Sequence, residues 1–211
     1  MTGFTLATSD YSLLTDLYQL TMVATYAGED LAWTPASFEL SVRRLPRGYT
    51  YLVAMGLAQV LEYLQQLRFT PQQIDYLRGL AVFERAPAAF WELLSQSEFR
   101  GDVWAVPEGT VVFAQEPLLR IDAPLWQGQW IETCLLNIVN YQTLVATRAS
   151  RLRQLVGEEV DLLEFGTRRA FSPQASLWAA RSALAAGFTA TSNVLAAQQL
   201  GMVPVGTMAH S

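Results

Sequence analysis

Apolar positions recur along the chain first at helical and then at strand spacing, and each switch marks an element. From Asp16 onward, Leu17, Leu20, Thr21 and Ala24 share one helical face, and Asp16 followed by Gln19 has capping-box spacing. Residues 36–42 alternate as a strand, with Phe38 and Leu40 on one side. A helix is expected from Leu52, carried by Leu57, Val60, Leu61 and Leu64. A second begins at Thr70-Pro71, threonine as cap and proline in the first turn, and a third runs from Pro87 through Phe90, Leu93 and Leu94. After Gly101 the stretches 102–106, 110–114 and 118–123 are β-rich, separated by proline or glycine turns, and read as one antiparallel unit. The longest helical pattern covers 129–156, with Leu135, Ile138, Val139, Leu144, Val145, Leu152 and Leu155 as apolar positions. Asn137, Asn140 and Gln142 interrupt it and suggest polar neighbours.

Beyond Gly157 strands and helices alternate: strand 160–165, helix 173–186, strand 188–191, helix 193–200 and strand 203–206. Alternation with short loops means a parallel sheet or a barrel. In such folds function gathers at the C-terminal ends of the strands. Here those ends read Glu164-Phe165-Gly166-Thr167-Arg168-Arg169, Thr191-Ser192-Asn193 and Gly206-Thr207-Met208-Ala209-His210. An aromatic ring, two guanidiniums, several hydroxyls and the sole imidazole suit a flat anionic aromatic ligand beside a phosphorylated one.

Composition narrows the chemistry. With 51% hydrophobic and 16% charged residues among 211, the chain is no disordered tail. A net charge of −5 argues against a general grip on nucleic acid. One cysteine, Cys134, excludes an intrachain disulfide and a cysteine-rich zinc site, and fits a reducing, cytoplasmic compartment. All 14 basic residues are arginine, so Schiff-base and P-loop lysines are excluded, and any bound anion is held by arginine, amides or hydroxyls. The N-terminus shows no basic region followed by an apolar core, and no run of about 18 apolar residues predicts a membrane helix.

At the strand-end motifs the chain resembles the nicotinate phosphoribosyltransferases, of the type II phosphoribosyltransferase group. The segments that carry the likeness are LLTDLYQLTM, FELSVRRLPRGYTYLVAMGL, GDVWAVPEGTVVFAQEPLLRIDAP, ETCLLNIVNYQTLVATRASR, EFGTRRA, GFTATSNVLA and GTMAHS. They stand in the family's order and span nearly the whole chain. The resemblance implies an α/β fold: an N-terminal α+β domain (1–128), a long connecting helix (129–156) and the first strands of an irregular (β/α) barrel (157–211). Family members run to roughly twice this length, and a full barrel takes about 250 residues. The chain is therefore expected to be the N-terminal portion of the enzyme, its barrel incomplete, and inactive alone.

The resemblance also implies an activity. Nicotinate and 5-phosphoribosyl 1-diphosphate would give nicotinate mononucleotide and diphosphate, the salvage entry to NAD. ATP hydrolysis would be coupled through a transient phosphohistidine at His210, with Mg2+ required. Phe165 would stack on the pyridine ring. Arg168 would hold the substrate carboxylate or the ribose phosphates; Arg169 would do so instead, or pair with a structural carboxylate. Thr207 belongs with the substrate-binding set. Related nicotinamide-using enzymes carry aspartate at the position of Ser192, so a serine there favours nicotinate; its alternative role is to cap the helix that follows. Asp16 and Tyr18 resemble a pair reaching a neighbouring subunit's site, Tyr18 covering the other ring face, which implies at least a homodimer. The basic turn of Arg43, Arg44 and Arg47 is either a phosphate contact or a solvated face. Runner-up readings are a nicotinamide- or quinolinate-using relative, and a non-catalytic truncated partner subunit.

Overall fold

A computed structural model describes residues 5–208 of the chain. The chain is a mixed α/β protein in two compact units. The first comprises Met1–Leu40, Ala58–Ala105 and Pro117–Ile138; the second comprises Ser41–Leu57, Val106–Glu116 and Val139–Ser211.

In the first unit, helix α1 (Leu17–Gly28) buries Gln19, Leu20, Val23 and Ala27. That stripe is rotated from the expected one: Leu17 is 54% exposed. The expected capping box is also absent. Asp16 stands at the N-cap without capping, and its carboxylate instead accepts from Thr133 Oγ1 at 2.7 Å. A carboxylate offered a long-range hydroxyl is not confined to its own helix. Helix α3 (Pro71–Arg78) carries the complete box, Thr70 accepting from the Gln73 N–H and Gln73 accepting from the Thr70 N–H.

Strand β1 (Pro35–Ser41) keeps the expected alternation, with Phe38 and Leu40 half-buried. It forms a sheet in the order β1-β5-β3 with β3 (Asp102–Ala105) and β5 (Pro117–Pro124), β3 and β5 running antiparallel. Helix α5 (Leu125–Val156) follows β5 directly and starts four residues earlier than its apolar pattern suggests. Its first turns anchor this unit's core. Trp126 and Trp130, one turn apart, stack with centroids 5.7 Å apart, and Phe69 stacks on Trp130 at 4.7 Å. Trp130 Nε1 donates to Ser12 O at 2.9 Å. Gly128 lies under Phe38; a Cβ there would meet the ring at 2.3 Å, so only glycine lets β1 approach the helix. Helices α2 (Leu57–Gln66) and α4 (Ala88–Ser95) complete the unit with Tyr63, Phe90 and Leu94 fully buried.

In the second unit Leu52–Val53 is a strand, β2, where a helix was expected; the helix begins only at Leu57. β2 pairs antiparallel with β4 (Val111–Val112), so β4 leaves the three-strand unit expected from spacing. Residues 139–156 of α5 explain why so short a strand holds. The Val53 N–H donates to Thr147 Oγ1 at 2.8 Å and the Met55 N–H to Thr143 Oγ1 at 3.2 Å. Helix hydroxyls satisfy backbone groups that no third strand reaches. The helix therefore buries Thr143, Ala146, Thr147 and Ala149 in this unit, while Leu155 is 81% exposed. Among the described residues Asn137 and Asn140 are exposed with no side-chain hydrogen bond, and Gln142 is buried with neither amide atom bonded.

Strand β6 (Leu163–Glu164), helix α6 (Pro173–Ala185) and strand β7 (Ala190–Thr191) form a parallel βαβ unit. Ser172 caps α6 and Pro173 opens it. Helix α7 (Val194–Gln199) follows β7. The third strand expected at 203–206 does not form; one bond, Val205 N–H to Thr191 O at 3.0 Å, marks where it approaches β7. A single bond makes no ladder. Among the described residues no barrel closes.

Candidate functional site: the ends of two parallel strands

Both strand ends are built by local rules. Phe165 leaves β6 and is 43% exposed. Gly166 opens a single 3-10 turn, Thr167–Arg169, in which the Arg169 and Ala170 N–H groups donate to Gly166 O at 2.8 and 3.2 Å. The turn leaves Arg168 and Arg169 exposed, and neither guanidinium has a hydrogen bond or ion pair among the described residues. Two unpaired guanidiniums beside an open ring are able to receive an anion.

Beside it, β7 ends in Thr191-Ser192-Asn193. The Ser192 N–H donates to Glu164 O at 2.9 Å, which carries the parallel pairing one step past the strands. Asn193, not Ser192, caps α7: its Oδ1 accepts from the Ala196 N–H at 3.1 Å. Its Nδ2 donates to Ser176 Oγ at 3.2 Å. The alternative capping role for Ser192 is thereby removed, and its half-buried hydroxyl makes no hydrogen bond among the described residues. Phe165, Arg168, Arg169 and Ser192 thus stand together at the C-terminal ends of adjacent parallel strands. Thr207 is exposed two residues beyond the segment bonded to β7, and His210 lies outside the described residues. Arg43, Arg44 and Arg47, in the same unit, are also exposed and without partners among the described residues.

Residues absent from the sequence expectations hold these ends in place. Glu164 is 8% exposed and its Oε1 accepts from the Gly166 N–H. Its Oε2 accepts from Thr191 Oγ1 at 2.6 Å. The signal in the sequence was a lone carboxylate inside an apolar strand, Leu162-Leu163-Glu164-Phe165. Arg153 is a second case: its guanidinium donates to Gly187 O at 2.8 Å, Gly157 O at 2.6 Å and Val160 O at 2.7 Å, tying the loop before β6 to the turn before β7. Gly187, at φ +105°, leaves room for that side chain.

Tyr18 and Asp16 belong to the first unit. Tyr18 is 49% exposed at the start of α1. Its hydroxyl donates to Glu132 Oε2 at 3.2 Å and accepts from Gln19 Nε2 at 2.7 Å; the same amide donates to Glu132 at 2.7 Å. Partial burial, then the adjacent Glu132 carboxylate, raises the Tyr18 phenol above its ordinary range, so the ring is neutral and fixed in direction.

Comparison with known proteins places this architecture. The N-terminal domain model of the nicotinate phosphoribosyltransferase (NAPRTase) family matches residues 13–140, and the NAPRTase family model matches 160–211. The chain belongs to the nicotinate phosphoribosyltransferase family. The enzyme of that name from Bacillus subtilis is 46% identical over 200 residues, 95% of this chain and 40% of that protein. The human one is 41% identical, over 94% of this chain and 37% of that protein. The crystal structure of human nicotinic acid phosphoribosyltransferase superposes with a TM-score of 0.86 at 40% identity, over 93% of this chain and 39% of that one. At 20% identity, nicotinate-nucleotide pyrophosphorylase from Pyrococcus furiosus, TM-score 0.75, shares the fold over all of this chain and 46% of that one. The chain spans about two-fifths of the length of these two curated relatives.

Proposed function

We propose that the protein transfers a phosphoribosyl group to nicotinate, as its relatives' names say of them, with 5-phosphoribosyl 1-diphosphate as the donor. The observation that carries this is the grouping of Phe165, Arg168 and Ser192 at neighbouring strand ends, with an open ring face, an unpaired guanidinium and an unengaged hydroxyl. The pyridine nitrogen attacks the anomeric carbon with its lone pair, and the bond from that carbon to diphosphate breaks. Phe165 orients the ring by stacking and Ser192 donates to the nicotinate carboxylate. Arg168 neutralises that carboxylate or the ribose phosphates, with Arg169 beside it as second cation. Fixing the nitrogen against the carbon is where most of the rate is gained. Thr207 adds a hydroxyl at the same end. Tyr18, with Asp16 beside it, closes the other ring face from a neighbouring subunit of a homodimer.

ATP is the co-substrate in this reading: an imidazole nitrogen of His210 attacks the γ-phosphorus, the bond to the bridging oxygen breaks and ADP leaves, and water later hydrolyses the phosphohistidine to inorganic phosphate and free imidazole. Mg2+ belongs to the proposal only as a requirement: among the described residues no group of three or more His, Cys, Asp or Glu side chains gathers as a metal cage. A cytoplasmic setting fits the buried free thiol of Cys134, and among the described residues no helix is long and apolar enough to cross a membrane.

The test is nicotinate mononucleotide formation by the full-length protein, with nicotinate and nicotinamide in competition, with and without ATP. Nicotinate alone should react, and faster with ATP. Product from nicotinamide, or none from nicotinate, would overturn the proposal.

A further inference from the structure

Glu164 is a buried carboxylate with no arginine in ion-pair reach among the described residues. Burying such a charge costs stability unless something binds it, and an apolar residue would fill a strand end at no such cost. Its bonds point to what it does. One oxygen takes the Gly166 N–H, at the root of the turn that presents Phe165 and Arg168. The other takes the Thr191 hydroxyl at 2.6 Å, and Thr191 Oγ1 in turn accepts from the Asn193 N–H at 3.0 Å. The Glu164 carbonyl receives the Ser192 N–H at 2.9 Å. Ser192 is therefore fastened on both sides, through its own N–H and through its neighbours Thr191 and Asn193. A Cβ on Gly166 would lie 2.7 Å from Glu164 Oε1, so a side chain there would push the carboxylate aside.

We infer that Glu164 is a positioning residue: its carboxylate clamps the Phe165–Arg168 turn to the Ser192 turn and so sets the spacing between ring-stacking face and carboxylate donor. The inference rests on the function proposed above. Both oxygens are engaged within the fold, so Glu164 acts through Phe165 and Ser192 and does not touch substrate. The carboxylate reaches the Ser192 turn through one side-chain bond, to Thr191 Oγ1, so breaking that bond from either side should loosen the same pair of turns.

The test uses full-length protein and equilibrium dialysis with labelled nicotinate, which gives an affinity per binding-competent molecule. Glu164→Leu, which removes both acceptor oxygens, and Thr191→Val should each weaken nicotinate binding about tenfold, and the double variant should be no weaker than the weaker single. Thr191→Ser, which keeps the hydroxyl, should bind within about twofold of wild type. Should Glu164→Leu fail to fold, Thr191→Val and its serine rescue carry the comparison. Affinity within twofold of wild type in folded Thr191→Val, or strictly additive losses, would overturn the clamp and leave Glu164 a structural residue. Absence of nicotinate binding by the wild type would instead remove the proposed function, and this inference with it.

Discussion

Ser192 offers a hydroxyl that no other described residue uses, and its backbone is held by the neighbouring strand. Replacing it by aspartate puts a carboxylate against the carboxylate of the proposed substrate. Ser192→Asp should raise the KM for nicotinate by about tenfold or more and admit nicotinamide, whose amide donates to a carboxylate; steady-state kinetics with both substrates checks this. Cys134 behaves differently. Burial pushes its thiol up from an ordinary 9.0 to about 12. Between those values the folded state keeps a proton the unfolded state has lost, so stability is full below pH 9 and falls as pH rises toward 12, by at most about 1.4 kcal/mol per pH unit. Thermal melts from pH 8 to 10.5 should fall less steeply for Cys134→Ala than for wild type. The thiol should also resist alkylation at pH 8 until the chain unfolds.

Helix α5 shows how far a local pattern reaches. Its existence was legible from periodicity, as were α3 with its Thr70-Pro71 start and α6 with Ser172-Pro173, because caps and periods are local. Strand β2 was not legible. Val53 in it draws on the hydroxyl of Thr147 and Met55 just beyond it on that of Thr143, roughly ninety positions away, and no local signal encodes that. Thr147→Val keeps the shape and leaves the buried Val53 N–H unpaired. It should cost about 1–3 kcal/mol in denaturant unfolding, against under about 0.5 kcal/mol for a surface change such as Asn140→Ala. The site divides the same way. The strand ends that hold Phe165, Arg168 and Ser192 were legible because strand ends are local features, and the family resemblance singled out these three within them. The bond that ties them together joins Glu164 to Thr191 across a whole βαβ unit, so it became visible only once β6 and β7 were paired. Asp16 is the counterexample, a local capping rule overridden by the distant Thr133 hydroxyl.

At the scale of the molecule, the proposed dimer assigns Tyr18 and Phe165 of one active site to different chains. Tyr18→Ala and Phe165→Ala proteins, each inactive, should then regain about a quarter of wild-type activity when unfolded and refolded together: half the dimers are mixed, with one unaltered site of two. No recovery in a refolded dimer would place both residues in one chain. The aromatic stack has a consequence for how any of this is observed. Trp33, Trp91, Trp104, Trp126 and Trp130 all lie in the first unit, and Trp178 alone represents the second. Intrinsic fluorescence is therefore a lopsided reporter, dominated by the half that does not carry the strand-end site. If the two units lose structure at different denaturant concentrations, the emission curve follows the first while far-ultraviolet circular dichroism averages both. A site loosened by substitution can thus look intact to a fluorimeter, and Trp178 is the chromophore to isolate for watching it open.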